Sequence, residues 1–276
     1  MSDTCVELEF AAAARQLLVA QVSDTHLGAA CGGRLAGMDT DASFAHVLEV
    51  VRTAPRRPDL LLATGDLASN GALPAYARVR DAFDGLGVPW FWLPGNHDLV
   101  TGMNEVIGRG RPMVHGIRAG AWQILMLDST VAGEVGGSLG EDELARLERL
   151  LAADPVRHTL VCLHHQPVPV GCAWLDEQRV ADADALFELL ARHRQVRALL
   201  WGHVHQEFEA RRDGLLLLGS PSTCIQFAPG SEHFRLDERA PGMRWLELHP
   251  DGRIDTRVQR VQGVDLGFDR NSGGYL

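Results

Sequence analysis

The stretch Leu17–His26, LLVAQVSDTH, sets the pattern that decides the fold. A short, mostly aliphatic run, too brief for a helix, reads as a strand buried on both faces, and it ends in Ser23-Asp24-Thr25-His26. The pattern recurs. Leu60–Thr64 runs into Gly65-Asp66, and Trp90–Pro94 into Gly95-Asn96-His97-Asp98. Thr159–Leu163 leads to His164-His165, and Ala198–Trp201 to Gly202-His203-Val204-His205. In an open α/β sheet, ligand sites form outside the carboxyl ends of strands, so these five loops are expected to converge. The glycines before Asp66, Asn96 and His203 allow tight turns and close backbone approach there.

Outward from these runs, Ile124–Leu127 reads as a further buried strand. Phe44, Val47, Leu48 and Val51 fall on one helix face behind a cap at Thr40 or Asp39. Leu144, Leu147 and Leu151 repeat that spacing, with Ser138 and Glu141 in capping-box order, and Leu186, Leu189 and Leu190 mark a third helix. Beyond about residue 200 the texture turns to strands: Glu207–Ala210, Leu215–Leu218, Arg244–Leu248 and Ile254–Gln259, with Asp213-Gly214 and Asp251-Gly252 as turns. The expectation is one layered α/β domain over 1–276. Residues 1–14 and 266–276 are expected to be peripheral, with Asn271–Leu276 a tail.

Of 276 residues, 46% are apolar, which supplies a real core and excludes disorder as the main state. All 26 basic residues are Arg, so P-loop and Schiff-base lysine chemistry are excluded. The formal charge of −10 argues against nucleic acid as a partner. Five scattered cysteines, an odd number without Cys-x-x-Cys, suit a reducing compartment; Cys31, Cys162, Cys172 and Cys224 are expected to be small buried groups. With no signal peptide evident and no apolar run near the roughly 20 residues of a membrane span, a cytoplasmic globule without a membrane partner is expected.

The converging loops bring two Asp, one Asn and at least four His, the ligands of divalent metals that also bind oxygen. No Cys lies among them, which argues against a structural zinc site. Asp24 and His26, two apart, would point the same way from an extended backbone, as would His203 and His205. Seven ligands exceed what one open catalytic ion needs. They suit two ions sharing a carboxylate, roughly 3.5–4 Å apart, the clamp used for in-line displacement at phosphorus by a bridging hydroxide. Fe, Mn and Zn all suit such a donor set.

Taken in order, Asp-x-His, Gly-Asp, Gly-Asn-His-Asp, His and Gly-His-x-His resemble the calcineurin-like metallophosphoesterase superfamily. The stretches Trp92–Asp98, Gly171–Asp176, Pro221–Phe227 and Ala240–Gly242 leading to Leu246–His249 are similar to the bacterial class III 3′,5′-cyclic-AMP phosphodiesterases. The resemblance implies a four-layer αββα sandwich of two packed mixed sheets. It also implies one ion on Asp24, His26, Asp66 and His205 and a second on Asp66, Asn96, His164 and His203, with Asp66 the bridge. Substrate phosphate would meet His26, Asp66, Asn96, His97 and His205. His97 would face the leaving oxygen, as proton donor or as hydrogen-bond donor only, and Asp98 would orient a histidine ring from behind. His165 is left as a supporting or packing residue, and Trp174 and Phe227 as purine platforms or packing. The implied reaction is hydrolysis of 3′,5′-cyclic AMP to 5′-AMP. A same-fold enzyme for glycerophosphodiesters or nucleotide pyrophosphates and a non-catalytic scaffold are the alternatives, and the oligomeric state stays open.

Overall fold

The computed structural model describes residues 3–9, 15–108, 113–270 and 272–274. Two mixed sheets carry the molecule. The five-stranded one runs Ile254–Arg260, Gly242–Leu248, Leu17–Val22, Leu60–Thr64, Trp90–Leu93, with its last three strands parallel. The seven-stranded one runs Cys5–Leu8, Gly116–Ala119, Trp122–Met126, His158–Cys162, Val196–Trp201, Leu215–Gly219, Phe208–Arg212. Its central four strands are parallel.

Alternation along each strand builds the layers. Leu17, Val19, Leu60 and Leu62 share one buried cluster with Ile124, Met126, Leu160, Cys162, Ala198 and Leu200, which places it between the sheets. Their neighbours Leu18, Ala20, Val22, Leu61 and Ala63 pack with residues of the helices Thr40–Arg52 and Leu73–Asp84. On the far side Leu125, Val161, Leu199 and Trp201 pack with the helices Gly140–Ala153 and Ala183–Ala191. Helix, sheet, sheet, helix is the expected four-layer sandwich. It explains why the central strands read as mostly apolar runs: both faces are buried.

Asp39 caps the first helix, accepting from Ala42 N at 2.9 Å. The expected capping box at Ser138 is absent. The helix begins at Gly140, and the carboxylate of Asp182, 42 residues away, accepts from Leu139 N and Gly140 N instead. A side chain from the neighbouring helix start thus does what a local hydroxyl was expected to do. The helices Leu73–Asp84 and Val100–Ile107 were not anticipated, and Cys5–Leu8, in the segment expected to be peripheral, pairs in parallel with Gly116–Ala119. The Asp213-Gly214 turn joins its hairpin with both residues at positive φ, as a two-residue loop requires. All five cysteines are unpaired. Cys162, Cys172 and Cys224 are buried as expected, but Cys31 is exposed. Of the expected tail, residues 271, 275 and 276 lie outside the described residues. Among the described residues no helix is long and apolar enough to cross a membrane.

Candidate metal centre

The five loops meet at the carboxyl ends of strands from both sheets. Neither dyad is extended, contrary to the expectation. φ is 57° at Asp24 and 45° at His26, 63° at His203 and 47° at His205, and 53° at Asp66. The loops lie side by side and hydrogen-bond to one another, so each must curl. Asp24 N and His26 N donate to Gly65 O and Asp66 O, both at 2.9 Å. A left-handed residue at each end of the dyad still brings both side chains into one cluster. Glycine is required where loops touch ligands. A Cβ on Gly202 would collide with Ser23 Oγ and sit 2.8 Å from Asp24 Oδ2, and one on Gly95 would collide with Asp66 Oδ1.

The donor atoms of Asp24, His26 and His205 lie within 4.8 Å of one another, as do those of Asp24, Asp66 and His164. The two groups share Asp24, and Asp66 reaches a histidine of each. Asp66 Oδ2 is 3.6 Å from His26 Nε2 and 3.3 Å from His164 Nε2, while Asp66 Oδ1 accepts from His97 N at 2.9 Å. Asn96 Oδ1 is 3.2 Å from His164 Nε2, and Asp24 Oδ1 is 3.4 Å from His205 Nε2. His203 packs edge-on against the His164 ring, and its backbone N–H donates to Asp24. All seven expected ligands are therefore in one cluster, and six of them, all but half-buried Asn96, are buried.

The donor chemistry fits a pair of divalent cations. His205 Nδ1 and His164 Nδ1 each pair with a carbonyl, of Ile225 and Thr64, at 2.7 Å, which leaves Nε2 with its lone pair. His203 reverses this: Nε2 pairs with Gln178 Oε1 at 3.1 Å, which would leave Nδ1 to a cation. His26 Nε2 and His205 Nε2 face each other at 3.3 Å, an approach that a cation between two lone pairs would satisfy. Against the upward push of burial, His164 and His26 hold the Asp66 carboxyl well below the usual range, and His205 lowers that of Asp24. Burial alone would lower His164, but Asp66 and Asp24 raise it to about 9, whereas burial lowers His26 to about 3. Two buried anions thus favour positive charge at the centre, which a cation would supply in place of a histidine proton.

His165 lies beside His164 and His203, but Ser129 Oγ pairs with its Nδ1 at 2.8 Å and Val135 O with its Nε2 at 3.1 Å, so both nitrogens are engaged. His97 Nδ1 pairs with Ser69 O at 3.0 Å, and its ring meets His26 edge-on. Asp98 lies behind the cluster, where its carboxylate accepts from the backbone N–H of Leu67, Ala68 and Gly95. It binds the Gly-Asp and Gly-Asn-His-Asp loops together where the resemblance implied a ring-orienting role. Burial, with the nearby Asp66 charge, raises it to about 6. Phe227 is 1% exposed and stacks on His205 at 4.1 Å and 10°, with Trp174 edge-on to it. Its role is packing beneath the centre. Gln178 and the carbonyls of Thr64, Ser69 and Ile225 escaped sequence reasoning: a carbonyl has no residue signature, and Gln178 follows no motif.

Known proteins resemble this chain in sequence and in fold. The calcineurin-like phosphoesterase family matches over residues 17–207. The chain is 45% identical over 259 residues to the 3′,5′-cyclic adenosine monophosphate phosphodiesterase CpdA of Pseudomonas aeruginosa, covering 94% of this chain and 95% of that one. It is 42% identical to the protein of the same description from Escherichia coli K12, covering 93% and 94%. In fold it is similar to a dimetal phosphatase from Danio rerio, with a TM-score of 0.60 at 16% identity, over 90% of this chain and all of that one.

Proposed function

The chain belongs to the calcineurin-like phosphoesterase family, and from that premise we propose that it hydrolyses 3′,5′-cyclic AMP to 5′-AMP at the cluster around Asp66. The observation that carries the substrate is the 45% identity over 94% of the chain to a cyclic-AMP phosphodiesterase. Asp24, His26, Asp66 and His205 would hold one divalent ion and Asp66, Asn96, His164 and His203 the other, with Fe or Mn the proposed metals and Zn also suited. When bound, the two ions neutralise charge at phosphorus and bring the pKa of water towards neutrality.

The protein groups do the rest. Asp66 Oδ1, tied to His97 N, fixes the carboxylate so that Oδ2 faces both donor sets. Asn96 and His97, on one loop and half-buried beside buried ligands, orient the cyclic phosphate with its 3′ oxygen opposite the attacking side. With Nδ1 held by Ser69 O, His97 presents Nε2 as the atom that gives a proton to the 3′ oxygen as its bond to phosphorus breaks. Charge developing on the trigonal-bipyramidal phosphorus meets these preplaced groups beside the buried ligands. Five free thiols suit the reducing cytoplasm as its place of action.

The test is a panel of cyclic AMP, cyclic GMP, a glycerophosphodiester and an aryl phosphodiester at equal concentration. Metal-stripped protein re-loaded with Mn²⁺, Fe²⁺ or Zn²⁺ is used, and the nucleotide product is identified. Cyclic AMP should give the highest kcat/KM and yield 5′-AMP. A preference for a non-cyclic substrate would overturn the assignment.

A further inference from the structure

Beneath the cluster, between the sheets, a guanidinium is buried without a carboxylate hydrogen-bond partner among the described residues. Arg244 is 1% exposed and donates to Ser220 Oγ, Thr256 Oγ1 and the carbonyls of Gly219 and Phe208. Burial lowers it only to about 10, so it stays charged at neutral pH. From it runs a directed chain of donors. Ser220 Oγ donates to Gln21 Oε1, Gln21 Nε2 to Thr64 Oγ1 at 2.7 Å, and Thr64 Oγ1 to Ser23 Oγ at 2.8 Å. Ser23 Oγ in turn donates to Thr64 O at 3.2 Å, the carbonyl that also takes His164 Nδ1 at 2.7 Å. Gln21, Ser23, Thr64 and Ser220 are fully buried, so no bulk water stands in for a lost member.

We propose that this chain, from Arg244 through Ser220, Gln21, Thr64 and Ser23, is a positioning device for the metal centre, an inference that rests on reading the cluster as that centre. Three of the strand ends it ties carry the ligands onward: Ser23 precedes Asp24, Thr64 precedes Gly65-Asp66, and Gln21 Nε2 also reaches the carbonyl of Trp201, before Gly202-His203, at 3.4 Å. From Arg244 to Ser23 the donors point one way, towards the carbonyl that anchors His164, so successive bonds polarise one another. A well-packed apolar cluster could fill the same space at no loss of stability. What it could not supply is a fixed carbonyl behind His164 and a common register for Asp24, Asp66 and His203.

Thr64→Val cuts the chain while keeping volume and the backbone carbonyl, Thr64→Ser restores the hydroxyl, and Ser220→Ala cuts it far from the ligands. Each metal-stripped variant is titrated with Mn²⁺ by calorimetry and loaded with Co²⁺ for its absorption spectrum, with circular dichroism as the control of folding. Thr64→Val should bind at least one Mn²⁺ about tenfold more weakly and show an altered Co²⁺ spectrum, in the range seen when groups behind metal ligands are removed. Thr64→Ser should recover both, and Ser220→Ala should shift them in the direction of Thr64→Val. Wild-type affinity in folded Thr64→Val, or equal weakening in Thr64→Ser, overturns the proposal. If Thr64→Val does not fold, unchanged affinity in Ser220→Ala overturns it. Failure of the wild type to take up two ions sinks the metal reading itself, an outcome distinct from all of these.

Discussion

At the scale of single residues, Asp66 and His97 separate two kinds of role. Asp66 Oδ2 stands between the nitrogens of His26 and His164, so Asp66→Ala removes a donor from both sets at once. Activity should fall below detection and metal content should drop from two ions towards one or none, measured by elemental analysis; near-native turnover would exclude a shared ligand. His97→Ala should lower kcat by about 10²–10⁴-fold, the usual range for a lost general acid, with metal content preserved. Loss of metal in that variant would make His97 a ligand. The identities of these residues were legible because residue type and order survive in the sequence. Their backbone was not. Of the seven described non-glycine residues at positive φ, five are Asp24, His26, Asp66, His203 and His205. An Asp or His in that conformation costs on the order of 1–3 kcal/mol, which neighbouring loops must offset, and a single stretch of sequence carries no trace of those neighbours.

At the scale of elements, legibility followed locality. The helix Thr40–Arg52 announces itself through Asp39 and the buried stripe Phe44, Val47, Leu48 and Val51, all within one segment. The helix Gly140–Ala153 shows in its leucines, but its start does not, because the cap comes from Asp182, 42 residues from Gly140, and not from Ser138. The distinction is measurable. Asp182→Ala should destabilise the protein by about 0.5–2 kcal/mol, the value of a helix N-cap, whereas Ser138→Ala should change stability far less. Thermal melts of the two variants decide it, and equal midpoints would restore the local cap. Metal affinity should be unchanged in both, since neither residue is among the donor groups of the centre. The strands of the centre were legible for the opposite reason from the helices. Burial on both faces removes polar alternation, and a cluster of polar residues marks where each strand ends.

At the scale of the whole molecule, the sequence could not show that Leu17–Val22 pairs with Gly242–Leu248, or that the donor set draws on both sheets. Asp24, Asp66 and Asn96 follow strands of the five-stranded sheet; His164, His203 and His205 follow strands of the seven-stranded one. A cation held by both groups is therefore a cross-link between the two layers, placed where two buried carboxylates would otherwise rely on histidine protons for compensation. Ions that bind only the folded chain stabilise it by mass action, by about 2.7 kcal/mol for each site at a hundredfold excess over its Kd. At roughly 2–4 °C per kcal/mol for a chain of about this size, each site should raise the melting midpoint by about 5–10 °C. Calorimetric melts of metal-stripped protein with and without Mn²⁺ test this, and Asp66→Ala should lose most of the gain. Identical midpoints under saturating Mn²⁺ would mean that the sheets are joined by their apolar interlayer alone. The residues of the two layers would then meet without the ions mattering to the fold, and the buried charge at Asp24 and Asp66 would need another source of compensation.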